Sequence, residues 1–284
     1  MKKSISAVIR TYNEAEYIGR LIQTLRAQSQ YGQKLEIIVV DSGSTDSTIE
    51  ILKKHNIKII SITREEFNYS KALNLGIEHS NGELIIILSA HAVPCENNWI
   101  EKMVKDFEDE NVAGVYCRQV PWPQADPIEA LRIEGTFGEN SKIFSGGEFS
   151  EAMKFSNAAS GIRRSVWEKH RFLTMPAAED REWAKWAVRN GYKIIYDTEF
   201  KVNHSHNESS RKAAQRVIAL EKAGDIKNKM RRNSLLTVKQ SAGWFIRDIR
   251  QIFSTNYTRG KKIKHTLQCL ARSFWYILDF NRKN

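Results

Sequence analysis

Four short clusters in this 284-residue chain carry side chains that bind ligands or move protons. The first is Asp41-Ser42-Gly43-Ser44-Thr45-Asp46, directly after an apolar run. Asp41 can accept hydrogen bonds from a nucleobase or a ribose. Ser44 or Thr45 can cap a following helix, whose N-terminal N–H groups then face an anion. A capped turn with no ligand explains the same residues equally well. Thr11 to Glu14 and Ser89-Ala90-His91 follow two other apolar runs. In the fourth cluster, His204-Ser205-His206, an extended backbone puts two imidazoles on one side, which suits a metal or a diphosphate. No GxGxxG or GxxxxGK[ST] occurs, which disfavours a dinucleotide enzyme and a P-loop NTPase. Cys95, Cys117 and Cys269 are far apart and fit no zinc spacing, so a reducing, cytosolic setting is expected.

The elements that must position these clusters follow from hydrophobic period. Continuous apolar runs at Ser6 to Thr11, Glu36 to Val40, Lys58 to Ile62, Glu83 to Leu88 and Val112 to Cys117 read as buried strands. Between them, Ala15 to Gln28, Thr45 to His55, Ser70 to Ser80 and Trp99 to Asp109 read as helices. Buried strands alternating with helices predict an α/β fold, a mostly parallel sheet between helices. Ligands of such sheets bind beyond the carboxyl ends of the strands, where the first three clusters stand. Between Pro121 and Ser156 the pattern breaks into loops around one short helix, Ile128 to Gly135. Order resumes at Asn157 to Arg164 and Val166 to Lys169. A helix follows from Arg181 to Asn190, closed by Gly191, and then a strand from Lys193 to Tyr196. Beyond His206 the chain reads as helices only. The expected division is therefore 1–206 and a helical extension, 207–284.

Charge follows the same division. Residues 207–284 hold 18 Lys and Arg against 5 Asp and Glu, a net of +13, while residues 1–206 hold 26 against 28, a net of −2. In the extension the basic residues alternate with apolar and aromatic ones, as in Trp244-Phe245-Ile246-Arg247 and Phe274-Trp275-Tyr276-Ile277-Leu278. That pattern suits amphipathic helices on an anionic bilayer, and equally helices packed on the main domain or on a second subunit of a homo-oligomer. Nucleic acid is disfavoured, because no recognised binding motif accompanies the charge. The N-terminal MKKSISAVIR lacks the apolar core of a signal peptide. No run approaches the roughly 18 to 20 apolar residues of a membrane span. A cytoplasmic protein, peripheral at the inner membrane face, is the expectation.

Five segments, in order, carry a family resemblance. They are Val8-Ile9-Arg10-Thr11-Tyr12-Asn13-Glu14, Val39 to Asp46, Asn68 to Gly76 with Ser80-Asn81-Gly82-Glu83, Leu88 to Pro94, and Glu179-Asp180-Arg181-Glu182-Trp183. Over roughly Ser4 to His206 the chain resembles the family 2 glycosyltransferases of the GT-A nucleotide-diphospho-sugar transferase fold, most of all a bacterial rhamnosyltransferase-like subgroup.

The resemblance implies an inverting transfer of a hexosyl or deoxyhexosyl group. The sugar would pass from a UDP-, dTDP- or GDP-linked donor to a hydroxyl of a surface polysaccharide or lipid-linked glycan. Thr11, Tyr12, Glu14, Asp41 and Ser42 would hold base and ribose, with Asp46 supporting that loop. Lys71 and Ser89 would lie near the diphosphate. Asp180 would be the base that takes the acceptor's proton, with Glu179 orienting it or binding the acceptor. Both acids also suit the start of a helix. Asn157 and Trp183 would meet the acceptor, Trp183 alternatively being core, and Arg118-Gln119 could reach either substrate. One element departs from the family. Its Asp-x-Asp metal motif is here Ser89-Ala90-His91, with no carboxylate. Two readings of a divalent cofactor follow. His91, with His204 or His206, binds Mn²⁺ rather than oxygen-preferring Mg²⁺; or His91 and Lys71 meet the diphosphate directly. The missing acids also motivate a rival, a catalytically silent nucleotide-binding or scaffolding protein. A nucleotidyltransferase would need a Gly-rich basic loop where Thr11 to Glu14 stand.

Overall fold

The computed structural model describes residues 3–29, 31, 34–147, 153–206, 209–218, 234–254 and 258–282. Two compact units divide the chain. The first comprises residues 1–122, 136–175 and 179–205; the second 123–135, 176–178 and 206–284. A single cut at 206/207 therefore misses one feature, because residues 123–135 and 176–178 go with the C-terminal helices.

In the first unit the chain runs β1 (Ile5–Thr11), α1 (Ile18–Arg26), β2 (Glu36–Asp41), α2 (Thr48–Lys54), β3 (Lys58–Ser61), α3 (Tyr69–Glu78), β4 (Leu84–Ser89), β5 (Val93–Pro94), α4 (Trp99–Asp106) and β6 (Val112–Val120). After the excursion containing α5 (Pro127–Thr136), it continues through β7 (Lys142–Phe144), β8 (Ala159–Arg163), α6 (Arg164–Trp167), α7 (Glu179–Arg189) and β9 (Lys193–Asn203). The sheet order is β3-β2-β1-β4-β8-β6-β9-β5, with β7 also on β9. The apolar runs are central because helices cover both faces: Val8, Ile9, Ile38, Val39, Ile85 and Ile87 have no accessible surface. β1, β2, β3, β4, β6 and β9 point one way. β8 is reversed between β4 and β6, and β5 and β7 run antiparallel to β9.

Register aligns the strand ends. Thr11 pairs with Asp41 across β1 and β2, and Arg10 pairs with Ser89 across β1 and β4. Helix α3 lies close on this part of the sheet. A Cβ on its Gly76 would come within 2.4 Å of Val8, so glycine is required there. Three α3 side chains also hold the segment before α7. Asn68, Ser70 and Asn74 donate to the carbonyls of Met175, Leu173 and Phe172 at 2.9, 2.6 and 2.8 Å. Helix α3 and the segment leading into α7 are thereby tied together.

The second unit is helical: α5, a stretch at 210–218 (α8), α9 (Ser234–Ser254) and α10 (Arg259–Arg282). Ile128, Ile252 and Cys269 form one core cluster, and Ala214, Ile218 and Tyr276 another. Buried charges in it are paired. Arg132 donates to Asp248 at 2.7 Å, and Gln215 donates to Asp279 at 2.8 Å. None of the described helices is long and apolar enough to cross a membrane.

Candidate active site

The loops after β1 and β2 are built as one piece. Asn13 takes a left-handed backbone, φ 53°, which an asparagine tolerates. Its Oδ1 accepts from the backbone N–H of Thr45 at 2.7 Å, while its own N–H donates to Ser44 Oγ at 2.8 Å. Asp41 Oδ2 accepts from the N–H groups of Gly43 and Ser44 at 3.0 and 2.9 Å, and Oδ1 accepts from Ser44 Oγ. Ser42 is buried and donates through both N–H and hydroxyl to the carbonyl of Thr11. Asp46 accepts from Thr48 and Ala15 N–H groups at the head of α2. Burial opposes its ionisation, but these hydrogen bonds outweigh that and hold its pKa below the ordinary aspartate value. The carboxylates of this loop thus shape it first. The outward surface of this loop is Gly43, Thr45, Asp46 and the exposed ring of Tyr12. The Arg64 guanidinium stacks on that ring at 4.4 Å.

At the end of β4 stands a pair of imidazoles. His91 Nδ1 donates to Glu14 Oε1 at 2.7 Å. His204, just past β9, donates from Nδ1 to Gln119 Oε1 at 2.7 Å. The rings stack at 5.0 Å and 12°. Each Nδ1 proton is held by an acceptor, so each lone pair resides on Nε2. An acceptor behind each ring fixes the tautomer and raises the basicity of the ligating nitrogen, as in metal-bound histidines. Ring nitrogens of the two residues lie within 4.8 Å of each other. Two imidazoles suit Mn²⁺ and similar borderline ions and suit Mg²⁺ poorly, so the residues present fit a transition-metal ion. His206 follows two residues on, as the first residue of the second unit.

The acid pair opens α7, two residues earlier than the sequence-based start at Arg181. Asp180 accepts from the N–H groups of Asn157 at 3.1 Å and Arg181 at 2.7 Å. Burial, and next the charge of neighbouring Glu179, push its carboxyl up to about 7, against the pull of those hydrogen bonds and of Arg10. Glu179 is buried and faces Arg10 Nη1 at 3.6 Å. Arg10 in turn lies 5.0 Å over the Tyr69 ring. A carboxylate poised near neutrality can accept a proton and release it again at physiological pH.

A hydrogen-bonded path joins the imidazoles to the acids. Gln119, buried on β6, receives His204 on its oxygen and donates from Nε2 to Ser156 Oγ at 3.0 Å. The next residue, Asn157, is the one whose N–H holds Asp180. Beyond β6 residue 117 a bulge in β9 shifts the pairing, so Arg118 faces Lys201 and Val120 faces Asn203. That extension of β9 delivers His204.

Within the first unit, Thr11, Tyr12, Glu14, Asp41, Ser42, Asp46, Ser89, His91 and His204 stand at or just past the carboxyl ends of strands. Lys71 lies in the first turn of α3 with its side chain exposed. Two expectations need correction. Trp183 has no accessible surface and packs between Phe155 and Phe172 at 5.7 and 5.9 Å, so it is core rather than an acceptor contact. Arg118 is turned from Gln119 and pairs with exposed Glu139 at 2.9 Å. Asn157 is fully buried, and its Nδ2 has no hydrogen-bond partner among the described residues. Sequence reasoning gave no role to Asn13, Arg10 and Arg64, and read Gln119 as a substrate contact rather than as the partner of His204 and Ser156. Only Arg10 carried a signal, as a charged residue ending an apolar strand.

Comparison with known proteins adds an independent line. Residues 6–170 match the family model described as glycosyl transferase family 2. The O-antigen chain rhamnosyltransferase RfbN of Salmonella typhimurium is 30% identical over 224 residues, 75% of this chain and 69% of the relative. The O-antigen chain rhamnosyltransferase WbaN of Salmonella anatum is 31% identical over 225 residues, 75% and 70% of the two chains. Among solved structures, the mannosyltransferase PcManGT from Pyrobaculum calidifontis, in complex with GDP-Man and Mn²⁺, superposes with TM-score 0.64 at 18% identity. That match covers 98% of this chain and 88% of the other. S. aureus TarS 1–349 with UDP-GlcNAc gives 0.55 at 18%, covering 99% and 74%. At such identity these two likenesses are likenesses of fold.

Proposed function

Because the chain belongs to glycosyl transferase family 2, we propose that its strand-end crevice binds a nucleoside-diphosphate sugar and that Asp180 deprotonates an acceptor hydroxyl in a single inverting displacement. The observation that carries this reading is the pairing of a near-neutral buried carboxyl with an imidazole pair, joined through Gln119 and Ser156. The family membership makes the protein a glycosyltransferase. The sugar is proposed as a deoxyhexose, since the two Salmonella relatives are named rhamnosyltransferases. The acceptor is proposed as a surface glycan carried on lipid at the cytoplasmic membrane face.

In this reading the 41–46 loop, Tyr12 and Thr11 border the nucleoside, and Asp41 and Ser42 act mainly by holding the loop's shape. His91 and His204 are the proposed ligands of a Mn²⁺-like ion, which would neutralise charge on the departing diphosphate. Lys71 adds a cation from α3. Asn157 acts through its backbone N–H, which holds Asp180. Asp180 takes the acceptor proton as the new glycosidic bond forms and the bond to the diphosphate breaks.

The test is turnover of a panel of nucleotide sugars with a lipid-linked glycan acceptor, with Mn²⁺ or with EDTA, for wild type and Asp180→Asn. Metal-dependent transfer abolished by Asp180→Asn supports the whole reading. EDTA-resistant transfer keeps the transferase and turns the imidazoles toward the diphosphate itself. Nucleotide binding without turnover on any acceptor would return the silent-fold alternative.

A further inference from the structure

Helix α10 is apolar on two opposite faces. Its inward face, His265, Cys269, Tyr276 and Asp279, is buried within the helical unit. Ile263, Leu267, Leu270 and Phe274 are instead exposed, at 55%, 59%, 47% and 59%. Their spacing of 4, 3 and 4 places them within an arc of about 60°, opposite the buried face. The stripe is about 16 Å long. Scattered exposed apolar residues need no explanation, but an ordered stripe does.

Its surroundings name the occupant. The helix carries Arg259, Lys261, Lys262, Lys264, Arg272 and Arg282 against one acid, Asp279, which is buried. Lys262 and Lys264 flank the stripe, and the Lys262 ammonium sits 5.5 Å over the Phe253 ring of α9, itself 60% exposed. A second copy of the chain would bring another stretch of net +13 against this face. An anionic bilayer offers apolar depth to the stripe and phosphate to its flanks. We propose that α10 lies in the interface of an anionic lipid bilayer, with Ile263, Leu267, Leu270 and Phe274 inserted and the flanking lysines on headgroups. The inference rests on the lipid-linked acceptor for its purpose alone; its physical basis is the stripe.

The experiment is flotation of the full-length protein with vesicles of equal parts phosphatidylglycerol and phosphatidylcholine, and with phosphatidylcholine alone. Donor turnover is measured on the same samples, so that failure of docking and failure of the transferase reading are told apart. The wild type is expected on the anionic vesicles at least about tenfold more than on the neutral ones. The deciding variant is Leu267→Lys with Leu270→Lys. It adds two positive charges while removing two inserted side chains, so binding should weaken by about tenfold or more. Unchanged or tighter binding of this variant would show plain charge attraction and overturn the insertion. So would a wild-type dimer in solution that the variant dissolves while neither floats. If that variant fails to fold by circular dichroism, Leu267→Ser with Phe274→Ser replaces it under the same criteria.

Discussion

Replacing Glu179 by Gln removes one charge and almost no volume beside Asp180. The Asp180 carboxyl titrates at about 7 because it is buried and because Glu179 is negative. At a separation on the order of 6 Å and an effective dielectric near 20, a unit charge is worth roughly 2–3 kcal/mol, or one to two pKa units. Arg10, freed of its 3.6 Å partner, then acts on Asp180 alone and shifts it the same way. Both effects lower the pKa, so the base stays ionised to lower pH. The acidic limb of the kcat/KM profile should move down by about one to two units. At pH near 6 the ionised fraction then rises about five- to tenfold, while at pH near 8.5 it is unchanged. The assay is initial-rate transfer from a nucleotide sugar across that range. A general fall in rate would report a further contact of Glu179 with substrate without moving the limb. A limb that stays put, or moves up, would refute Asp180 as the titrating base.

Gln119→Leu removes the acceptor behind His204, and the Mn²⁺ concentration for half-maximal activity should rise about 10- to 100-fold, read by metal titration with the fold checked by melting. Trp183→Ala should cost about 3–5 kcal/mol of stability and leave the acceptor KM of the surviving folded enzyme unchanged, because that ring is core. Asp106, half-buried against Asp197, has its pKa raised to about 7 by burial first and then by that carboxylate. A folded-state pKa above the unfolded one stabilises at low pH. That stability is lost as pH climbs from about 4 through about 7, by roughly 1–2 kcal/mol after allowing for partial exposure. Asp106→Asn should therefore flatten the fall in Tm between pH 5 and pH 8, measured by calorimetry.

Sequence was informative where local pattern and final environment coincide. β1, β2 and β4 are covered on both faces, and their unbroken apolar runs say so. The helix expected from Ser70 starts one residue earlier, at Tyr69, because the Asn68 side chain caps α3 locally, at 3.0 and 3.2 Å. β8 could not be read this way. Ala159-Ser160-Gly161 has no apolar period, and becomes a strand because β4 and β6 flank it and because Gly161 leaves room for Met103, whose Sδ would lie 2.5 Å from an added Cβ. The candidate site divides similarly. Strand ends and the acid pair were legible as residue types in order. The elevated pKa of Asp180, the tautomers of His91 and His204, and the Gln119 path were not, because each depends on partners 23 to 85 positions away or on burial that only tertiary packing supplies.

The separated segments of the helical unit bear on how the chain is made. α5 leaves the ribosome long before its partners, since Arg132 binds Asp248, 116 residues later. At about 5–20 residues per second, that wait is on the order of ten seconds. Throughout it, Ile128 and two charged side chains destined for burial stand on a nascent chain whose sheet is still being completed. Cutting the chain at 206 would make that interval permanent. The shortened product would carry an orphaned α5 rather than a clean domain. A catalytic fragment that stays soluble needs α5 redesigned, with Ile128 made polar and the Glu129 and Arg132 positions freed of their missing partners.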